Sequence, residues 1–450
     1  MVELDASLKG APLTDRLASF AVETTATDIP KAVIDPAKNL ILDTIGVSLA
    51  AANSSIGRII AEHVAGMGSP ATATVLGAAV KVSPELAALA NGTLANALDF
   101  DEGSHLSTHV LPAALAIAEH HHLSGQDLLE AFIIGYEAGT RLTQTIDARR
   151  RQQRGPTHRG WWHVGLVGPI AAALTVSRLL KLDRRQTTMA IGIASCSSGG
   201  FRRNMGTMAK ALHSGNAARG GIQAAYLARR GFTSDPEILE APLGFLQAVC
   251  PPEDRDMEAI ANLGRPYALE GALKIKRFPA CNPGHPLIDA VQKLLESRSF
   301  SVEDIAVIEA DLHTFSLLRP EPKDEEAAGF SGAFLLAATF VHRVFGLEQI
   351  SDQVVHDPHV RDLMKRVRHV PAGDTETVTV RLHDHRVVSV DVLPVRRLTT
   401  RESVRQKFRE CAYPVLSRKS VSAVEDQILG LEKQSNVDLL MSIAGKLTEA

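Results

Sequence analysis

Glu376-Thr-Val-Thr-Val-Arg-Leu-His-Asp-His-Arg-Val-Val-Ser-Val-Asp-Val-Leu393 alternates apolar and polar residues on either side of a polar turn. Val378, Val380 and Leu382, then Val388, Val390 and Val392, recur with period two around His383-Asp384-His385. That period sends successive side chains to opposite faces of a strand, so the stretch reads as a β-hairpin. A second strand candidate covers residues 305–315. Strands separated by helical segments predict an α+β unit of its own, and the change of character after Pro266 sets its bounds at residues 267–394.

On both sides of this unit the apolar period lengthens to that of a helix. Leu17, Phe20 and Ala21, then Ala37, Leu40, Ile41 and Ile45, follow helical spacing within residues 14–52. Further helices are expected over residues 84–97, 112–121, 125–146, 169–180, 185–194 and 217–230, each bounded by Gly, Pro, Asp or polar residues. The apolar run 164–176 is shorter than the ~20 residues a membrane-spanning helix needs, and Arg178 follows it, so it reads as a buried core helix. Helical spacing resumes at Glu402 with Val404, Phe408 and Val415, and continues over residues 424–431 and 437–443. The predicted architecture is mainly α. A large all-helical domain is formed by both chain ends, residues 1–266 with 395–450, and the smaller α+β domain is inserted between them.

Charge excludes some partners. The 48 Lys and Arg residues against 51 Asp and Glu give a formal net charge of −3, which provides no electrostatic footprint for nucleic acid or an anionic membrane. An anionic ligand must therefore meet locally placed cations. Cys196, Cys250, Cys281 and Cys411 form no CxxC pair, which argues against a zinc site or a disulfide framework and suits a reducing, cytoplasmic setting. Residues 1–12 read as neither a secretory signal nor a transit peptide. No P-loop, strand-linked GxGxxG, HExxH or GxSxG is found, which narrows the chemistry, and His120-His121-His122 lacks a spaced carboxylate or thiol partner, so no metal is expected.

Four polar segments interrupt the apolar pattern. Asp99, Asp101, Glu102, Ser104, His105, Ser107, Thr108 and His109 crowd between two apolar helices; a solvated connection would look the same, so composition alone leaves both readings open. Gly160-Trp161-Trp162-His163 puts a histidine near a helix N-terminus, where exposed N–H groups attract a carboxylate and keep an imidazole neutral. Lys210-Ala211-Leu212-His213, if helical, places a cation and a histidine on one face, although taken alone such a lysine is more often a surface residue than a ligand to substrate. Lys274-Ile275-Lys276-Arg277-Phe278-Pro279-Ala280-Cys281, at the junction of the two units, could clamp an anion between them or be a solvated charge run.

Taken in order, these segments resemble the MmgE/PrpD family, which includes 2-methylcitrate dehydratases, cis-aconitate decarboxylases and iminodisuccinate epimerases. Asp28-Ile29-Pro30, Ile41-Leu42-Asp43-Thr44-Ile45-Gly46, Asn91-Gly92, Leu98-Asp99-Phe100-Asp101, Leu111-Pro112-Ala113-Ala114-Leu115-Ala116, Gly231-Phe232-Thr233 and Glu240-Ala241-Pro242-Leu243-Gly244-Phe245 extend the resemblance over residues 14–445. It implies a cofactor-independent homodimer with a site between a helical domain and a lid. It carries the catalytic positions onto Asp99, His105, His163, Lys210 and Lys276, with His109, Arg277 and Cys281 as substrate-binding candidates. His109 is the alternative to His105, because His105-Leu106-Ser107-Thr108-His109-Val110-Leu111-Pro112 stands against the family's His-Pro-Ser segment. Glu102-Gly103 stands where the family commonly has Asp-Thr, and Asn96 replaces a common histidine. Cys281 and Phe334 replace a histidine and a tyrosine of the decarboxylase branch. The implied reaction is dehydration of a hydroxy-polycarboxylate, citrate-like or 2-methylcitrate-like; within it His163 is expected to be the base, Asp99 to orient a histidine and His105 to donate a proton to the leaving hydroxyl. Decarboxylation or epimerisation of a related acid, or acid binding without catalysis, are the alternatives.

Overall fold

The computed structural model describes residues 12–147, 156–271, 273–296, 300–312 and 319–446. The first helices are α1 (Leu13–Glu23), α2 (Lys31–Ala52) and α3 (Ser55–Gly66). A two-stranded hairpin follows, β1 (Ala73–Val75) and β2 (Val80–Val82), then α4 (Pro84–Ala97), α5 (Ser107–His120) and α6 (Gly125–Asp147). Next come α7 (His163–Leu179), α8 (Arg184–Ser195), α9 (Met208–Arg229) and the short α10 (Phe245–Val249) and α11 (Met257–Ala261). The second part contains α12 (Gly284–Glu296), β3 (Ile305–Ala310), α13 (Glu325–Ala328), α14 (Gly332–His342), α15 (Asp352–Val355) and α16 (Pro358–Lys365). It is completed by β4 (Val367–His369), β5 (Thr377–Leu382) and β6 (Val387–Asp391), and the chain ends in α17 (Arg401–Ala412), α18 (Arg418–Leu429) and α19 (Asp438–Ala444).

Two hydrophobic clusters organise these elements. The larger gathers residues from Leu13 to Ile275 together with Val404 to Ala444, so both chain ends share one core. α17 packs on α2 at Gly46, where a Cβ would stand 3.0 Å from Cδ2 of Phe408. The smaller cluster holds Leu287, Ile288 and Val291 of α12, Phe334 and Phe340 of α14, and Val378, Val380 and Leu382 of β5. Its sheet has the order β4-β3-β5-β6, with β3 parallel to β4 and antiparallel to β5. In the expected hairpin, Val378 faces Val390 and Val380 faces Val388, and His385 takes a left-handed φ of 69° in the turn. The strand expected over 305–315 ends at Ala310, and residues 313–318 lie outside the described residues.

Small residues let three core helices approach at backbone distance. A Cβ on Gly92 of α4 would lie 2.9 Å from Gly215 Cα of α9, and one on Gly215 would lie 2.3 Å from Leu89 O. On the other side of α9, a Cβ on Gly221 would lie 2.4 Å from Ala172 Cβ of α7. Side chains one turn from such a crossing are brought close together, and here they are Lys210 and the residues that end α4. Gly215 lies inside α9, which therefore starts nine residues before the expected position 217.

Three more features depart from the expectations. β1 and β2 sit in a region read as all-helical; they are only three residues each and too short to show an alternation. α5 begins at Ser107 and not at Pro112, because the Glu102 carboxylate accepts from Leu106 N at 2.6 Å and Ser107 N at 3.3 Å, satisfying donors that a helix start leaves open. α7 likewise begins earlier than residue 169, at His163. Among the described residues no single helix is long and apolar enough to cross a membrane, and α2 and α3, which reach that composition together, are bent by 88°.

Candidate active site

α4 stops at Ala97, and the chain turns through Asp99, which adopts φ 48°. A left-handed residue just beyond a helix end is common, but a non-glycine there needs surrounding contacts to hold it. Two buried lysines supply them. Lys210, on the first turn of α9, donates to Asp99 Oδ1 at 2.6 Å and to the Asn96 carbonyl at 3.1 Å. Lys276 lies 2.9 Å from Asp99 Oδ2 and donates to the Asp99 carbonyl at 2.7 Å. Lys276 arrives on an extended segment held by bridges from Ile275 to Glu102 on one side and to Leu398 on the other, where the chain passes between the two clusters.

A carboxylate between two ammonium groups stays ionised. Burial alone would raise the Asp99 carboxyl, but Lys210, Lys276 and His105 outweigh it and hold it well below the usual carboxylate range. Asp101, also fully buried, is lowered in the same contest, chiefly by His105. His105 Nδ1 lies 2.6 Å from Asp101 Oδ2, with the Asn96 amide nitrogen 3.1 Å from the same ring atom. An ionised carboxylate accepts only, so Nδ1 carries the proton, and in the neutral ring Nε2 is the basic nitrogen. That Nε2 lies 3.8 Å from Asp99 Oδ1.

His163 opens α7 with its ring centroid 6.2 Å from that of His105, and Trp162 packs against both at 5.4 and 4.8 Å. Its Nε2 donates to the Ser104 carbonyl at 3.1 Å. Asp99, His105, His163, Lys210 and Lys276 are therefore assembled around one centre, although they come from four separate stretches of chain. Cys281 is close enough to feel the Asp99 charge; burial, then that carboxylate, push its thiol up to about 12, so it is a neutral wall.

Two other candidates lie elsewhere. His109 is fully buried inside α5, with no hydrogen-bond partner on either ring nitrogen, and a Cβ on Gly168 of α7 would touch its ring at 3.2 Å. Burial pushes its pKa down to about 3, so it is a neutral packing residue of the helical core. Arg277 donates to Asp289 Oδ1 at 2.6 Å and stacks 4.8 Å from the Phe278 ring centroid, occupied within the smaller unit.

Sequence reading missed the partner of His105: it had assigned histidine orientation to Asp99, whereas Asp101 makes the contact. Residues 101–105 form a loop between α4 and α5, as expected, so the spacing of Asp101 and His105 gave no helical register from which to read the contact. It missed Asn96 as a contact of the same ring, and Glu102 as the cap of α5. Asp99, Asp101 and His105 each present a ligand atom within 4.8 Å of the others. Both oxygens of Asp99 already face ammonium groups, which would repel a divalent cation at this position, so the donor set fits proton handling and not a metal.

A narrow cleft reaches Asp99 between the two units. Ser54, Ile56, Ala97 and Leu98 line one wall, and Pro279, Glu325, Glu326 and Phe330 the other. Lys210 Nζ lies 5.9 Å from the Phe330 ring centroid, so the cleft wall covers the lysine. At the rim Ser55 donates to Glu325 at 2.5 Å and faces Glu326 at 3.4 Å, a contact that joins the two walls.

Comparison with known proteins agrees with this arrangement of parts. Residues 15–258 match the MmgE/PrpD N-terminal domain and residues 278–432 the MmgE/PrpD C-terminal domain. A cis-aconitate decarboxylase from Aspergillus terreus is 26% identical, with 96% of this chain and 95% of the relative aligned. The human cis-aconitate decarboxylase is 26% identical over 91% of this chain and 90% of its own. A probable 2-methylcitrate dehydratase of Saccharomyces cerevisiae is 24% identical over 92% and 85%. With both domain matches in order and most of the sequence covered, the chain belongs to the MmgE/PrpD family.

Proposed function

We propose that this chain is a lyase of small tricarboxylates that removes a proton from carbon next to a carboxylate and expels a β-hydroxyl as water, without a cofactor. The observation that carries the reading is the buried Lys210–Asp99–Lys276 cluster beside the Asp101–His105 pair, with Asp99 lining a cleft between two units. Full-length similarity to cis-aconitate decarboxylases and a 2-methylcitrate dehydratase supports the tricarboxylate class.

Carbon acids of this kind are weak, so the developing enediolate needs fixed positive charge and a positioned base. The two ammonium groups are rigidly held at Asp99, where they can stabilise a carboxylate that develops further charge in the transition state. Of the two histidines, His105 is the better base. Asp101 fixes the tautomer that leaves Nε2 free to accept a proton, while the Nε2 proton of His163 is engaged by Ser104. His105 then holds the abstracted proton at Nε2 and gives it to the leaving β-hydroxyl, which departs as water; His105 as base is the reverse of the assignment expected from sequence. Residues 267–394 act as the lid: Lys276 belongs to this segment, so closure completes the site and excludes water.

Decarboxylation is the second reading, favoured by the cis-aconitate decarboxylases among the relatives. Incubating the protein with citrate, 2-methylcitrate and cis-aconitate separately, with products followed by NMR, separates the two. Loss of water with retention of all carboxyl carbons supports dehydration, release of carbon dioxide supports decarboxylation, and neither product from any of the three acids counts against the tricarboxylate lyase reading.

A further inference from the structure

Asp99, Phe100 and Asp101 are held from below by a third buried lysine that comes from the far end of the chain. Lys407 of α17 donates to the Phe100 carbonyl at 2.5 Å, and its ammonium lies 3.9 Å from the centroid of the Phe100 ring. Its counter-charge is Asp43 of α2, whose Oδ1 lies 2.6 Å away. Lys407 and Asp43 are nearly or fully buried, and no neutral donor among the described residues reaches either oxygen of Asp43. Burial pushes the Asp43 carboxyl up to about 6 against the pull of Lys407, and the nearby Asp101 and Glu102 charges push the same way.

A buried ion pair is a poor source of net stability, since the desolvation of both charges offsets their attraction. Its geometry offers another role. Within five residues, three backbone carbonyls each end on a buried ammonium: Asn96 on Lys210, Phe100 on Lys407, and Asp99 on Lys276. Lys210 and Lys276 also touch the Asp99 side chain; Lys407 holds only the Phe100 carbonyl and ring.

We propose that Lys407, charge-balanced by Asp43, is a positioning residue that fixes the Phe100 peptide and through it aims Asp99 at the two lysines and Asp101 at His105. The inference rests on the lyase reading of the same site. It predicts that Lys407 acts on turnover and not on substrate affinity.

The test compares Lys407→Met with the double variant Lys407→Met/Asp43→Asn, in the full chain. The single variant leaves Asp43 buried without a counter-charge and should lower the thermal midpoint. The double variant removes both charges and should recover that midpoint. If the pair positions the site, the double variant still loses at least tenfold in kcat with KM within threefold of wild type. Recovery of kcat to within twofold in the double variant would overturn the proposal, because the pair would then matter only to stability. A wild-type protein inactive on every acid would instead count against the lyase reading, and the crystal structure of the double variant then decides. Displacement of the Phe100 carbonyl and the Asp101 carboxylate by about 1 Å or more supports positioning, and unchanged coordinates refute it.

Discussion

His109 allows a prediction that needs no substrate. It is fully buried with both ring nitrogens unpartnered, and burial lowers its pKa from 6.5 to about 3. A histidine whose folded pKa is depressed takes up a proton more readily when unfolded. Its contribution is therefore fully present above 6.5 and is lost as pH falls through the window between 6.5 and about 3. Between pH 8 and pH 5 the unfolded chain gains about 1.5 pH units of proton binding that the folded chain does not, which at ~1.36 kcal/mol per unit amounts to about 2 kcal/mol. A folded pKa one unit higher would change that by less than about 0.1 kcal/mol. Replacing His109 with Leu, an apolar residue suited to the same α5–α7 contact, removes the titration. Urea denaturation of both proteins at pH 8 and pH 5 should show wild type losing about 2 kcal/mol more than His109→Leu on acidification. Parallel losses would mean that His109 is hydrated or hydrogen-bonded in the folded protein, and the assignment of His105 over His109 to the site would lose its physical basis.

Other expectations concern the site. Lys276→Met should lower kcat by about 10²–10³, the usual cost of deleting one fixed donor to a developing oxyanion, with circular dichroism unchanged. Asp101→Asn should lower turnover by about 10–100-fold, because the amide no longer fixes the His105 tautomer, and the steady-state rate constants measure this directly. Glu326→Gln should lower KM for a trianion about two- to fivefold at pH 8 by removing a like charge from the cleft rim. Burial raises the Glu326 carboxyl above its ordinary value, so the wild-type group neutralises as pH falls and the advantage of Gln should fade at lower pH.

Much of the fold was legible because periodicity is strong where one face is buried. Val378 to Val392 alternates because β5 lies on a core, and the tail helices declare themselves through Val404 and Phe408. The unread parts had local signals that pointed elsewhere. Pro112 looked like a helix start, but the start is set by the Glu102 carboxylate at the other end of the loop. The expected start of α9 at residue 217 falls nine residues late, and Gly215, inside the helix, allows α9 to touch α4. Among site residues, the lysines and histidines were found through family resemblance, while their pairing was not, since Asp99 contacts partners 111 and 177 positions away. Lys407 carried a readable signal that went unused. It lies at helical spacing among Val404, Phe408 and Cys411, on the buried side of an otherwise charged helix.

In the proposed reaction His105, aimed by Asp101, takes a proton from carbon next to a carboxylate bound at Lys210 and Lys276. Solvent exchange measures that step alone: in deuterated water, the protein and its substrate acid should give deuterium incorporation at the carbon that loses the proton, read by proton NMR of recovered substrate. His105→Gln should reduce the exchange rate by at least about a hundredfold while citrate still binds. Exchange at the wild-type rate in His105→Gln would contradict the account.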